Sequence, residues 1–158
     1  MLIYDSSFVN NSVQGNYGYG GGIYISTCTN VTLAQLSFEN NTCVGDFGSA
    51  ASIYLFTTNN ITMSKISFVN NTAKGYFIRG GNVYMKIVTN ISLSNVSFIN
   101  NNVYGDNSRA AGMYIFTVNN MYMTQSSFIN NSVNGISSNG GAINFFTVNN
   151  VTLDQVIT

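Results

Sequence analysis

Nine asparagines stand in Asn-x-Ser/Thr triplets: Asn10, Asn30, Asn40, Asn60, Asn70, Asn90, Asn95, Asn130 and Asn150. In a secreted chain, the side-chain amide nitrogen of such an asparagine is an acceptor for an N-linked glycan. A chain rich in Asn, Ser and Thr also produces the triplet by composition alone, so orientation matters. Residues i and i+2 of a strand face the same way. Asn30 and Thr32 then point outward together while Val31 and Leu33 point inward. The outer surface also needs hydration, because charged residues make up only 6% of the chain. Covalent N-linked glycans are therefore expected, and no other cofactor.

Other chemistry finds few reagents. Polysaccharide lyases and hydrolases need clustered carboxylates, often with a cation or an arginine. The acids here are Asp5, Glu39, Asp46, Asp106 and Asp154, and only Asp46 and Asp106 occupy equivalent positions, beside Arg79 and Arg109 in a glycine-rich loop. There is no histidine, and no serine or threonine has a base beside it in the sequence. No catalytic residue is assigned, and no set of Cys, His or carboxylate ligands for a metal can be assembled. Cys28 and Cys43 lie half a repeat apart and replace small side chains in largely apolar positions, so two buried free thiols are expected. Five basic residues balance five acidic ones, which leaves no basic patch for nucleic acid or anionic lipid. No apolar run approaches the length of a membrane span.

What positions the asparagines is a repeat. Ser-Phe-x-Asn recurs with its Phe at Phe8, Phe38, Phe68, Phe98 and Phe128, a constant step of 30 residues without insertion. Each Phe is followed by two asparagines, as in Asn10-Asn11 and Asn40-Asn41, and Gly15, Gly45, Gly75, Gly105 and Gly135 keep the same register. Three strand-like runs recur in each repeat, exemplified by Ile23-Tyr24-Ile25, Val31-Thr32-Leu33 and Leu36-Ser37-Phe38. Their apolar residues alternate with polar or Tyr residues, the pattern of a half-buried strand. A strand that recurs once per repeat pairs with its own copies, parallel and in register, at ~4.8 Å per step.

The predicted fold is therefore all-β: a right-handed parallel β-helix, one 30-residue repeat per coil and about five coils, with residues 1–158 as one solenoid segment of a longer array. The Phe column and the Ile, Leu, Val and Met columns form its core. The second asparagine of each pair is expected to stack inward as an amide ladder at a corner. Small pairs at Gly20-Gly21, Ala50-Ala51, Gly80-Gly81, Ala110-Ala111 and Gly140-Gly141 mark a tight bend. The Tyr24, Tyr54, Tyr84 and Tyr114 column is a candidate solvent-facing aromatic stripe for glycan stacking or lateral contacts. Thr32, Thr62 and Ser92 do not form the unbroken flat array that ice binding requires, because Tyr122 interrupts them.

These motifs carry a resemblance. Phe-x-x-Asn followed by Gly-Gly-Ala-(Ile/Leu/Val) resembles the repeat signature of the polymorphic outer-membrane protein family. Phe-x-x-Asn occurs five times here, Gly140-Gly141-Ala142-Ile143 is intact, and Gly20-Gly21-Gly22-Ile23 and Gly80-Gly81-Asn82-Val83 are looser forms. The chain is also similar to long, asparagine-rich β-helix surface proteins of eukaryotic microbes. The resemblance implies a right-handed parallel β-helix on an extracellular, surface-attached protein, often an adhesin, without implying a ligand.

The expected function is a structural, extracellular or cell-surface glycoprotein solenoid within a fibre, stalk or filament. Its partners are then further copies or coils of itself, end to end, and glycans. An adhesin passenger with a ligand-binding face is the alternative, and a polysaccharide lyase or hydrolase a distant third.

Overall fold

A computed structural model describes every residue from Met1 to Thr158. It contains strands and turns and no helix. One kind of strand comprises β3 (Ile23–Ser26), β6 (Ile53–Phe56) and β9 (Val83–Met85). A longer kind comprises β1 (Leu2–Val9), β4 (Thr29–Glu39), β7 (Thr58–Val69) and β10 (Val88–Ile99). In the last two coils the two kinds fuse, giving β12 (Met113–Ile129) and β14 (Ile143–Ile157). A short kind comprises β2 (Ser12–Gln14), β5 (Thr42–Val44), β8 (Thr72–Lys74), β11 (Asn102–Tyr104) and β13 (Ser132–Asn134). All pairing is parallel, and Phe8 faces Phe38, then Phe68, Phe98 and Phe128 in the expected 30-residue register. The chain winds as a β-solenoid of about five turns.

Two of the expected runs prove to be one bent strand. Val31 and Leu33 point inward, and so do Leu36 and Phe38, although strict alternation would turn the second pair outward. Gln35 resolves the conflict by adopting a left-handed conformation at φ 54°, which resets the alternation inside β4. Asn30 and Asn40 make the flanking corners at φ 55° and 54°. That conformation costs a residue with a Cβ roughly 1–2 kcal/mol, and Asn and Asp are the usual exceptions. The short strands such as β5 form a fourth run that three mixed residues do not announce in the sequence.

Twenty-five buried side chains fill the main core. Its Phe rings stack with centroids 4.5–5.0 Å apart from Phe8 to Phe128. Beside them runs the expected inward ladder Asn11, Asn41, Asn71, Asn101 and Asn131, with the three middle residues at most 1% exposed. The glycine at the start of the loop has its own reason. A Cβ on Gly75 would lie 1.9 Å from the Gly45 carbonyl oxygen, and one on Gly105 would lie 1.5 Å from that of Gly75. Backbone of one coil thus rests directly on the next.

Replacing one stacked ring, as in Phe68→Ala, is expected to cost about 3–5 kcal/mol. Each coil touches only its neighbours, so amide hydrogen exchange should accelerate in the flanking coils and stay protected at distance. Uniform acceleration along the chain would contradict the nearest-neighbour architecture.

Candidate functional site

Every sequon asparagine lies at an exposed corner. Asn10, Asn30, Asn40, Asn60, Asn70, Asn90, Asn95, Asn130 and Asn150 all have φ between 53° and 56°. In the Asn10 and Asn30 columns the bend itself therefore favours asparagine, and Asn100 and Asn120 make the same bends without a sequon, whereas Asn95 takes the bend that Gln35, Lys65 and Gln125 take in other coils. The Ser or Thr two residues on falls on the outer face of the following strand, which is how corner geometry and triplet spacing coincide.

The corners differ in how firmly they hold their amides. Asn60 Nδ2 donates to Asn30 Oδ1 at 3.0 Å, and Asn90, Asn120 and Asn150 continue this exposed ladder at 2.9–3.0 Å. The ladder borders an open groove of about 520 Å³ whose other flank carries Thr32, Thr62, Ser92 and Tyr122. No side-chain hydrogen bond engages the amides of Asn10, Asn40, Asn70, Asn130 or Asn95, in contrast to the inward ladder one residue further on.

The tyrosine column is not a solvent-facing stripe, the candidate role its alternation suggested. Tyr24 is exposed, but Tyr54, Tyr84 and Tyr114 are only 5%, 2% and 1% exposed. They stack at 4.9–5.2 Å, with the small Ala50 and Ala110 packed in the same cluster. Side chains of the glycine-rich loop and the strand ends cover them: Tyr19 stacks on Tyr54, Arg109 lies over Tyr114, and Phe56 and Phe116 lean on the column. The outer side of this strand is a second, smaller core.

The same region gathers charge that an even total conceals. Arg79, Lys86 and Arg109 lie on one face, with Arg79 and Arg109 paired across adjacent coils. The 30-residue spacing of the two arginines was the available signal; Lys86 comes from a different column and joins them only through the fold. The carboxylates do not assemble. Asp106 Oδ1 accepts a hydrogen bond from the Ile136 amide at 2.7 Å, and no group of three or more Cys or carboxylate side chains forms a metal-binding set.

Both cysteines are free thiols, Cys43 fully buried and Cys28 partly so. Cys43 sits in a small apolar cluster with Ala73, Ile78 and Val103, where its thiol donates to the Gly18 carbonyl at 3.5 Å. Burial pushes the Cys43 thiol up to about 11 from 9.0. Burial likewise raises the Tyr54 and Tyr84 phenols, with neighbouring tyrosines adding to the shift and the Arg79 guanidinium opposing it.

Compared with protein-family models, curated proteins and solved structures, the chain matches none of them.

The buried acids generate a pH dependence. A thiol or phenol whose proton is held more tightly in the folded chain stabilises it below the unfolded value and loses that contribution as pH rises through the folded value. Cys43 defines a window from 9.0 to about 11, and the tyrosines extend it above 10.0. Denaturant titrations should show stability falling above pH 9, with about 2–3 kcal/mol lost through the thiol. In Cys43→Ala the fall should begin about one pH unit later, where the phenols take over; an unchanged onset would contradict the assignment.

Proposed function

We propose that this protein is a structural, glycan-bearing solenoid of the extracellular space, serving as a stretch of surface fibre, stalk or filament. The observation that supports this most is the constancy of the coil. The strand pairings, the asparagine ladders and the Phe column all repeat with a 30-residue step, and no coil carries an insertion. Axial growth, whether within one chain or by stacking of coils end to end, needs that constancy, because each new coil must continue all the columns at once. A protein built around a single site has no such requirement.

Glycans complete the reading. Few charges decorate the sides, and sugars on the corner asparagines would hydrate them and block sideways association. The unengaged Nδ2 groups of Asn10, Asn30, Asn40, Asn70, Asn95 and Asn130 are the favoured acceptors. Those of Asn60, Asn90 and Asn150 would have to give up or share a ladder hydrogen bond. Corners in one column are ~4.8 Å apart, so adjacent coils compete for space and partial occupancy is expected. The resemblance to β-helix surface proteins points to the same location and role.

Peptide mapping of the natively secreted protein should find glycans on Asn40, Asn70, Asn95 or Asn130 at higher occupancy than on Asn60 and Asn90. Electron microscopy should show thin, unbranched filaments with an axial repeat near ~4.8 Å or a small multiple. Unmodified asparagines throughout would remove the glycan, and compact closed particles of the native full-length protein would remove the fibre.

A further inference from the structure

A furrow runs along the solenoid beside the tyrosine column. Two depressions of about 130 and 260 Å³ meet there, sharing Phe77 and Arg79. Three of the five basic residues of the chain, Arg79, Lys86 and Arg109, line it, and no carboxylate does. Arg79 and Arg109 are directly paired in neighbouring coils, ~4.8 Å apart along the backbone, a juxtaposition of like charges that is unfavourable unless an anion joins them.

The cations are held rather than free. The Arg109 guanidinium lies 5.8 Å from the Tyr114 ring and 5.6 Å from the Phe146 ring, and its Nη1 donates to the Tyr114 hydroxyl at 3.2 Å. Lys86 Nζ lies 5.1 Å from the Phe56 ring. A second, independent observation sits in the smaller depression. The Tyr84 hydroxyl is buried there close to the Arg79 guanidinium but without a hydrogen bond of proper geometry, and the residue is 2% exposed. An unpaired buried hydroxyl is costly, and one lining a furrow beside unneutralised arginines marks a place for a ligand oxygen.

We propose that this furrow binds an acidic polysaccharide, a chain of uronate or sulfated sugars lying along the solenoid axis. Its anionic groups would sit on Arg79, Arg109 and Lys86, since a guanidinium fork matches carboxylate and sulfate alike. The partly exposed ring of Phe77 offers a flat apolar surface to the sugar rings. Tyr84 supplies a hydrogen bond to a ring substituent. A nucleic acid is the poorer fit, because its affinity draws on many phosphate contacts and the protein as a whole is neutral. The furrow is independent of fibre growth and of glycans on the corners, so its failure would leave the proposed function intact, and the converse holds.

Calorimetric titration of the whole chain tests the proposal with four probes: an oligogalacturonate, a sulfated glycosaminoglycan oligosaccharide, a neutral cello-oligosaccharide and an oligothymidylate. One or both acidic saccharides should bind, more weakly at higher salt, and which one binds identifies the anion. Arg79→Gln and Arg109→Gln should each weaken binding roughly tenfold or more, whereas Lys74→Gln, outside the furrow, should leave it unchanged. Tyr84→Phe should weaken binding several-fold without lowering the melting temperature, because it removes an orphaned hydroxyl and no packing. Neutral saccharide or oligothymidylate binding as tightly as the acidic saccharides would overturn the proposal. So would no binding of either acidic saccharide, or full affinity in a folded Arg79→Gln variant.

Discussion

Asn71 spends the whole hydrogen-bonding capacity of its side chain inside the stack of coils. Its Nδ2 donates to the Phe38 carbonyl at 2.9 Å and to Asn101 Oδ1 at 3.2 Å, while its Oδ1 accepts from the Asn41 backbone amide at 2.8 Å and from Asn41 Nδ2 at 3.1 Å. Two donors and two acceptor lone pairs are all that an asparagine amide has. Asn41 and Asn101 repeat the pattern with their own neighbours. A buried amide is tolerable only when paired, and here each one is paired through the coils above and below it.

That constraint propagates outward. If the ladder is to close, residue i must lie over residue i+30, so every other position becomes a column as well. Phenylalanines stack ring on ring, glycines leave room for the carbonyl of the coil beneath, and corners repeat their left-handed conformation. Functional surfaces inherit the same rule. A corner asparagine in a sequon comes back as a row of sequons, and an arginine in the loop comes back beside another arginine. In such an architecture a pocket for one small molecule is harder to build than a linear furrow or a periodic coat.

Much of this was legible because a repeat prints its own alignment. Phe68, Asn71 and Gly75 could be placed in their columns from spacing alone, and the small pairs such as Gly80-Gly81 correctly signalled crowding between coils. The bent strand was harder. Nothing in Gln35, Lys65 or Gln125 announces a left-handed residue, so one continuous strand looks like two in the sequence. The cover over the tyrosines is hidden for a different reason. Alternation correctly turned Tyr54 away from the main core, but alternation says nothing of whether a loop lies over that side. Arg79 and Arg109 come from that covering loop, and Lys86 joins them from a different position in the repeat, so the furrow exists only in three dimensions. The outward sequons were legible as geometry; the fold adds that the corner itself selects asparagine.

The most direct measurement of the ladder's role is the equilibrium unfolding of Asn71→Leu, which keeps the branching of the side chain and removes all of its polar contacts. The Asn41 backbone amide and the Phe38 carbonyl would then lose the bonds that residue 71 makes to them, and Asn41 Nδ2 and Asn101 Oδ1 would each lose one of their two. At about 1–3 kcal/mol for each group left unpaired, a loss of several kcal/mol is expected. The substituted coil should open first by hydrogen exchange. A variant within about 0.5 kcal/mol of the parent, the range of an ordinary surface change, would contradict the claim that the asparagine ladder holds the coils in register.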